Sequence, residues 1–395
     1  MSYTMLVSYL ENNKSRTFDV SQIVHNIEYT TSIDAQPGKL TFMLEKDNSN
    51  SLKIGMGSLV QFFSNGKSVF YGKVFTVETD ISDVYRVVAY DMLRYFKNSD
   101  SLLVDESFDN IGVLFDKIIN AYELKGRLGE WTNEVNLQPL EAHYFSNDTL
   151  FDILSYYMDL ENSRMTKSLK SNRVYKTKDS ENLAVKLYLK CSYDVIELRE
   201  IRYDFLCDEE SGDLKDTVLL IGDESLMTDY DYKVDIDNET YNRLIFVYSE
   251  KDKNSSAESE SNVQVKEKQM VAAMDAGHVI SGTGTDLDGT TVGENTKSRW
   301  GTLSKIIELK NIEPTNQLQE YMKASLEFYS QPNRTLKINA IGHDSIFAGS
   351  AFYLHLSKLD INYPVYVISA THRYEADEHM MELEVATNVK MRKFL

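Results

Sequence analysis

The groups through which this 395-residue chain could do chemistry are seven histidines, two cysteines and 61 acidic residues. The histidines are His25, His143, His278, His343, His355, His372 and His379, and none stands in an H-E-x-x-H or similar ligand pattern. His343-Asp344 and Asp377-Glu378-His379 set carboxylates beside imidazoles. Adjacent residues on a strand point to opposite faces, so these read as loop or surface positions. Cys191 and Cys207 have no C-x-x-C spacing and read as buried or half-buried thiols. Asp286-Leu287-Asp288-Gly289 resembles part of a calcium loop, but its glycine is two positions early for an EF-hand. Gly282–Thr285 lacks the Lys-Ser/Thr of a phosphate loop, and there is no G-x-S-x-G elbow. Glu130 and Glu141, near Trp131, are the carboxylates best placed for glycan hydrolysis, yet nothing in their spacing singles them out. The pairs Phe62-Phe63, Phe70-Tyr71, Tyr156-Tyr157 and Phe328-Tyr329 suit packed cores and subunit interfaces better than sugar platforms. The sequence therefore offers no catalytic residue, no cofactor site and no metal site.

Composition points the same way. A formal charge of -19 argues against a duplex-DNA surface, which needs concentrated Lys and Arg. No apolar run approaches the ~18 residues of a membrane-spanning helix. Met1 is not followed by a secretory leader pattern. Two cysteines make no disulfide framework, which fits synthesis in a reducing compartment. With 25 Tyr and 17 Phe the chain is too aromatic to be disordered. An acidic, soluble, Tyr-rich protein of several domains is expected.

The elements follow from periodicity. Residues 1–98 read as strands: Leu40, Phe42 and Leu44 alternate with polar or flexible residues, and Asn65-Gly66 is a hairpin signal between two β-rich runs. Residues 99–194 read as a mixed α+β connector. Ile111, Leu114, Phe115, Ile118, Ile119 and Tyr122 form a helical stripe, with Ser107 or Asp109 as cap and Gly126 as stop. A second helix is expected from Asn147 or Asp148, burying Leu150, Phe151, Leu154 and Tyr157, with strands after it near 173–176 and 184–189. Residues 195–248 and 331–395 read as a second β-domain. The span 249–330 interrupts it: 249–299 holds no Phe or Tyr and no Trp and reads as a polar, mobile excursion, while 300–330 reads as helical with Thr315 as cap.

The two β-rich regions echo each other. Gly57 and its neighbours match Gly349 and its neighbours at an offset of 292; Val74-Phe75-Thr76-Val77 matches Val367-Ile368-Ser369-Ala370 at 293. Tyr85–Ala89 matches Glu382–Ala386 at 297, and Gly38–Phe42 is set against Asn242–Phe246. Collinear matches with little drift predict a duplicated β-domain. Gly57, Gly72 and Gly349 are the candidate turn, bulge or close-approach positions within it.

These segments also resemble a known family. Gly57–Phe62, Gly66–Val74 and Ala89–Tyr95, with Trp300–Leu303, Leu336–Gly342, Ala348-Gly349 and Val367–His372 in order behind them, resemble the XkdQ/YqbQ proteins of defective prophages and contractile bacteriocins. The resemblance spans nearly the whole chain, weakest over 250–299, and carries no catalytic motif. It implies an α+β, mainly β fold with two tube-like β-barrel domains joined by an α+β connector. It further implies a non-enzymatic baseplate hub of a contractile tail: a homotrimer between a hexameric inner tube, or its initiator, and a trimeric spike. Tape-measure and other baseplate proteins would lie beyond. On this reading the chain is made in the bacterial cytoplasm and built into a phage tail or tail-like particle. A tail-associated peptidoglycan hydrolase, or a cell-wall-binding protein, is the alternative.

Overall fold

The computed structural model describes residues 2–12, 14–46, 54–79, 81, 84–99, 107–129, 132, 137, 139–140, 148–158, 161, 186–201, 219–237, 240–250, 268–275, 278–280, 296–309, 326, 329–330, 332–375 and 378–386. The fold is mainly β. Seven strands come first: β1 (Tyr3–Glu11), β2 (Lys14–Asp19), β3 (Val24–Ser32), β4 (Lys39–Glu45), β5 (Leu59–Ser64), β6 (Lys67–Thr79) and β7 (Val84–Asp91). Helix α1 (Ile111–Ala121), β8 (Lys125–Leu128), β9 (Lys186–Ser192) and β10 (Val195–Ile201) follow. Then come β11 (Leu220–Gly222), β12 (Met227–Asp235), β13 (Arg243–Glu250), β14 (Lys268–Asp275), β15 (His278–Ile280) and β16 (Ser304–Leu309). The chain closes with β17 (Asn333–Ile341), β18 (Ala351–Leu356), β19 (Ile361–Glu375) and β20 (Glu378–Ala386).

The chain divides into two compact units, 1–232 with 335–391 and 233–334. In the first, thirteen strands share one sheet in the order β12-β17-β20-β19-β3-β4-β7-β6-β5-β1-β2, with β18 on β19 and β11 on β18. The early and late strands are therefore joined through β19 and β3. Among the described residues the pairings form one open sheet, not two closed barrels. The reason lies in β19: it is long enough to pair with β20 on one edge and, end to end, with β18 and β3 on the other.

Alternation sets each core. Leu40, Phe42, Leu44, Val60, Phe62, Val87 and Ala89 turn inward in the early strands, and Leu336, Ile338, Ala340, Leu383 and Val385 in the late ones. The hairpin at Asn65-Gly66 forms with both residues at positive φ, the requirement of a type I′ turn. β13 pairs with β14 and β16 in a separate four-stranded sheet of the second unit. This corrects the match of Gly38–Phe42 with 242–246: the counterpart of β4 is β17, which lies on β20 as β4 lies on β7.

The connector is a three-stranded sheet, β8-β10-β9, and two helices around one core. The expected stripe of α1 is buried, but its ends differ from expectation. Asn110 caps it, its Oδ1 accepting from Val113 N–H at 3.1 Å. It stops at Tyr122, before Gly126, because Glu123 takes the left-handed φ of 51°. Leu124 N–H then donates to Ile119 O and Glu123 N–H to Asn120 O, a Schellman ending built without glycine. Glu123→Gly should therefore raise stability by about 1 kcal/mol, measured as a shift of the urea midpoint. The second helix, 150–158, is capped by Thr149: Asp152 N–H donates to Thr149 Oγ1, and Thr149 N–H to Asp152 Oδ2. This is a capping box, in place of the expected Asn147 or Asp148. Leu150, Phe151, Leu154 and Tyr157 are buried by it. The strand expected near 173–176, the helix start at Thr315, and Cys207, Glu130, Trp131, Glu141, Gly282–Thr285 and Asp286–Gly289 lie outside the described residues.

Candidate assembly surfaces

One turn is built alike at two places in the chain. Gly57 has φ 83° and Gly349 φ 82°. Gly57 N–H donates to Val74 O at 2.8 Å and Val74 N–H to Ser58 O at 2.9 Å; Gly349 and Val367, with Ser350, repeat both bonds at 2.9 Å. Ser58 Oγ accepts from Gly55 N–H at 3.1 Å, and Ser350 Oγ from Phe347 N–H at 3.1 Å. β5 and β18 both run six residues with the same alternation of burial. The ladders β6–β7 and β19–β20 each carry a register shift, between Val74 and Thr76 and between Val367 and Ser369. Bonds, turn and bulge repeat in the same order at offsets of 292 and 293, which makes these two copies of one unit.

The pairing also corrects one alignment. Val74 opposes Ala89 and Val367 opposes Val385, so Ala89 corresponds to Val385, not Ala386. A one-residue slip exchanges the faces of a strand. Only the structural register sets the buried Val87 and Ala89 on the buried Leu383 and Val385.

Gly72 faces a different constraint. A Cβ there would lie 2.2 Å from Tyr90 O and 2.4 Å from the Phe70 ring, so β6 and β7 approach too closely for a side chain.

The two copies meet in one seam, β3 against β19, from Ser32–Ser369 to Ile27–Tyr374. Thr30 and Thr371 hydroxyls are 3.2 Å apart, Arg373 Nε reaches Glu28 Oε2 at 3.1 Å, and Ala348 N–H donates to Thr31 Oγ1 at 3.1 Å. Tyr374, 0 % exposed, enters the core of the early strands and meets Phe62 edge-on at 4.9 Å.

Beside the seam sits a group that spacing did not reveal. His372 Nε2 is 2.6 Å from Ile346 O, and its Nδ1 is 2.8 Å from His379 Nε2. A carbonyl only accepts, so Nε2 carries the His372 proton and Nδ1 receives the His379 N–H. His379 Nδ1 faces Asp344 Oδ1 at 3.6 Å, and Asp344 Oδ2 accepts from Asn65 Nδ2 at 2.8 Å. His379 on β20, Asp344 in the turn before Ile346 and the exposed turn of the Asn65 hairpin are thus joined; Asp344 lies in a loop as its sequence suggested, whereas His379 lies on a strand. The strand β19 and its hairpin with β20 bring them together across seven residues, a separation with no motif. Burial pushes the His372 pKa down to about 4, helped by His379. No nucleophile lies in the chain of bonds: Tyr374 stacks on His379, and its hydroxyl is buried without a partner. Among the described residues no cluster of His, Cys, Asp or Glu is arranged to hold a metal.

A cavity of about 250 Å³ lies among β3, the end of β7, β9 and the Phe347-Ala348 turn. Asp91 lines it, 4 % exposed, accepting from Gly38 N–H at 2.9 Å and Leu93 N–H at 3.0 Å. Burial outweighs those two bonds and pushes its pKa up to about 7. Cys191 also lines it; its thiol is pushed up by burial and lies 3.1 Å from Tyr193 O, so it is a packed thiol and not a nucleophile.

The family model described as YQBQ-like matches residues 27–270 and 287–386. The chain belongs to the YQBQ-like family. No curated protein matches it in sequence. Its fold is shared by the 43 kDa tail protein of prophage MuSo2 from Shewanella oneidensis, at 10% identity and a TM-score of 0.56, covering 98% of this chain and 99% of that one. It is shared by a tail protein from Neisseria meningitidis MC58, at 11% identity and 0.55, covering 98% and 96%. Prophage tail protein gp18 from Listeria monocytogenes EGD-e shares it at 9% and 0.52, covering 98% and 95%. At these identities the likeness is one of fold, and it extends over whole chains.

Proposed function

We propose that this YQBQ-like chain is a structural hub of a tail baseplate, a homotrimer joining a hexameric inner tube to a trimeric spike. The observation that carries this reading is the duplicated unit. A chain with two copies of one turn-strand-bulge unit presents two similar surfaces. Three such chains present six, and so match a sixfold partner at one end and a threefold partner at the other. The tube-like domains of this reading close only in the ring, which fits an isolated chain whose sheet is open. The β-surfaces around 54–90 and 346–386 face the tube, and Gly57, Gly72 and Gly349 serve them as turn and close-approach positions. The fold shared with three tail proteins, two of them from prophages, supports a place in a phage tail or tail-like particle. The role is mechanical on this reading, and the hydrogen bonds of the buried histidine pair and of Asp91 run to groups within the fold. Part of the -19 charge, if it lines the ring, would let nucleic acid or an acidic tape protein slide without sticking.

The test is native mass measurement of the full chain, alone and mixed with a candidate spike protein of the same particle. A trimer in either sample is expected. A chain that stays monomeric and joins neither spike nor tube protein overturns the reading.

A further inference from the structure

The seam inside the chain leaves two strand edges open that have the same form. On β6, Gly72 and Lys73 pair with β5 on one edge and with β7 on the other. Past the Val74 turn bond, Phe75–Thr79 keeps its β7 partner, but among the described residues no strand lies along the edge where β5 ended. The equivalent segment of β19, past Val367, has β3 along that same edge. Burial reports the difference. Residues 370, 372 and 374 of β19 are buried, whereas 75, 76, 78 and 79 of β6 are exposed. The second open edge belongs to β12. It lies on β17, away from β20, as β3 lies on β4, away from β7, and it ends the sheet. β3 has three buried residues and β12 none.

We infer that the open edge of β6, Phe75–Thr79, pairs with the open edge of β12 in a second copy of this chain, repeating between chains the β3–β19 seam within one. This inference rests on the hub reading for the number of copies but not for the surface. Both edges come from one duplicated unit, and one copy of the contact is already made inside the chain. Exposed apolar groups stand beside each: Ile81, 102 % exposed, at the tip beyond β6, and Ile341, 52 % exposed, on β17 next to β12. An open edge with apolar neighbours is a site that natural proteins cover. Of the other open edges, β2 is blunted by charge, with Lys14 and Arg16, and has no counterpart among the late strands, and β11 is only three residues long and lies parallel on β18. Joining β6 to β12 is a head-to-tail contact, which closes into a ring when its rotation does.

The template also fixes which backbone groups take part. Ile33 N–H donates to Ile368 O at 3.0 Å, so alternate residues from Ile368 onward turn their backbone groups to β3. The corresponding positions on β6 are Phe75, Val77 and Thr79. Thr371, whose side chain meets Thr30 across the seam, corresponds to Glu78.

The experiment uses the full chain with Glu78→Cys on one edge and Asp229→Cys or Asp231→Cys on the other, under mild oxidation over a concentration series. Mixed single variants should give disulfide-linked pairs, and the double variant a covalent three-chain species; the unsubstituted chain should give neither. Val77→Pro removes an edge N–H that β7 does not use and should weaken assembly by about tenfold or more. A trimer by mass with no cross-link at either position overturns this seam and leaves the hub reading standing. A chain monomeric over the whole series also overturns the seam, while the hub reading is then judged by its assembly with spike and tube. Because the cysteine variants lie on exposed positions, circular dichroism that matches the parent separates a missing contact from a misfolded chain.

Discussion

Gly349→Ala should lower stability by about 2–4 kcal/mol, whereas Gly57→Ala should cost only about 1–2 kcal/mol, although the two glycines hold the same place in two copies of one turn. The shared part is conformational. At φ 82–83° a Cβ is placed against the following carbonyl, and alanine pays that strain at both sites. The difference is what lies beyond the backbone. A Cβ on Gly57 meets nothing within 4 Å. A Cβ on Gly349 would lie 2.2 Å from the ring of Tyr188, which is 4 % exposed and packs with Ile33, Ala348 and Tyr366. That ring sits on β9, so the clash propagates into the connector. Urea unfolding of the two variants beside the parent measures the difference directly. Equal losses would mean that Tyr188 yields freely and that the connector does not brace the second turn. The asymmetry matters for the hub reading as well. The Gly57 turn is open where the Gly349 turn is covered, which leaves the first copy free to meet a partner.

The sequence shows the repeat of turns and strands because its physical causes are local. A positive-φ glycine, a serine one residue on to cap the turn, and alternating inward side chains leave a mark at fixed spacing. What it does not show depends on distant pairing. The one-residue error at Ala89 arises because letters such as Val-Val-Ala and Glu-Val-Ala align well while the bulge at Val74–Thr76 decides the faces. β13 reads like β4 because both are apolar and alternating, and only pairing assigns it to another sheet. The stop of α1 was hidden since Glu123, not a glycine, takes the left-handed turn. His372 and His379 were legible as residues but not as a pair. Their hydrogen bond is made by strand pairing across a hairpin, which no short motif records. The joining of the two copies into one sheet is hidden for the same reason: β19 and β6 read alike, and only pairing gives the segment of β19 past Val367 the partner β3.

Acidification from pH 6.5 to 4 should change the parent's stability less steeply than that of a variant without Asp91, because each of two buried groups contributes an opposing slope of about 3 kcal/mol. His372 is fully buried and its pKa falls to about 4, from about 6.5 in the unfolded chain. Protonating it would put a proton on Nδ1, where His379 now donates, so the folded state resists the proton. A depressed pKa gives stability that is full above pH 6.5 and is lost as pH falls toward 4. Asp91 works in the opposite sense. Its pKa rises from 3.8 to about 7, so the folded state holds a proton that the unfolded chain releases. That contribution is full below pH 3.8 and is lost as pH rises through 7. Between pH 4 and 6.5 the two slopes oppose, each about one proton. Asp91→Asn should therefore become acid-sensitive, losing about 3 kcal/mol across this window, while His372→Gln should gain a similar amount. His379, lowered by burial, adds to the first slope; Asp344, which faces it, and His343 nearby are common to the Asp91 variant and the parent. Each variant will also carry a fixed loss, from the bonds to Gly38 and Leu93 or to Ile346. Only the change of slope tests the linkage, so denaturant midpoints at each pH are compared within one variant before variants are compared. Parallel profiles for all three proteins would show that neither group is titrated from its buried position. Two opposed buried groups thus make the stability of this fold follow pH less steeply than either group alone would.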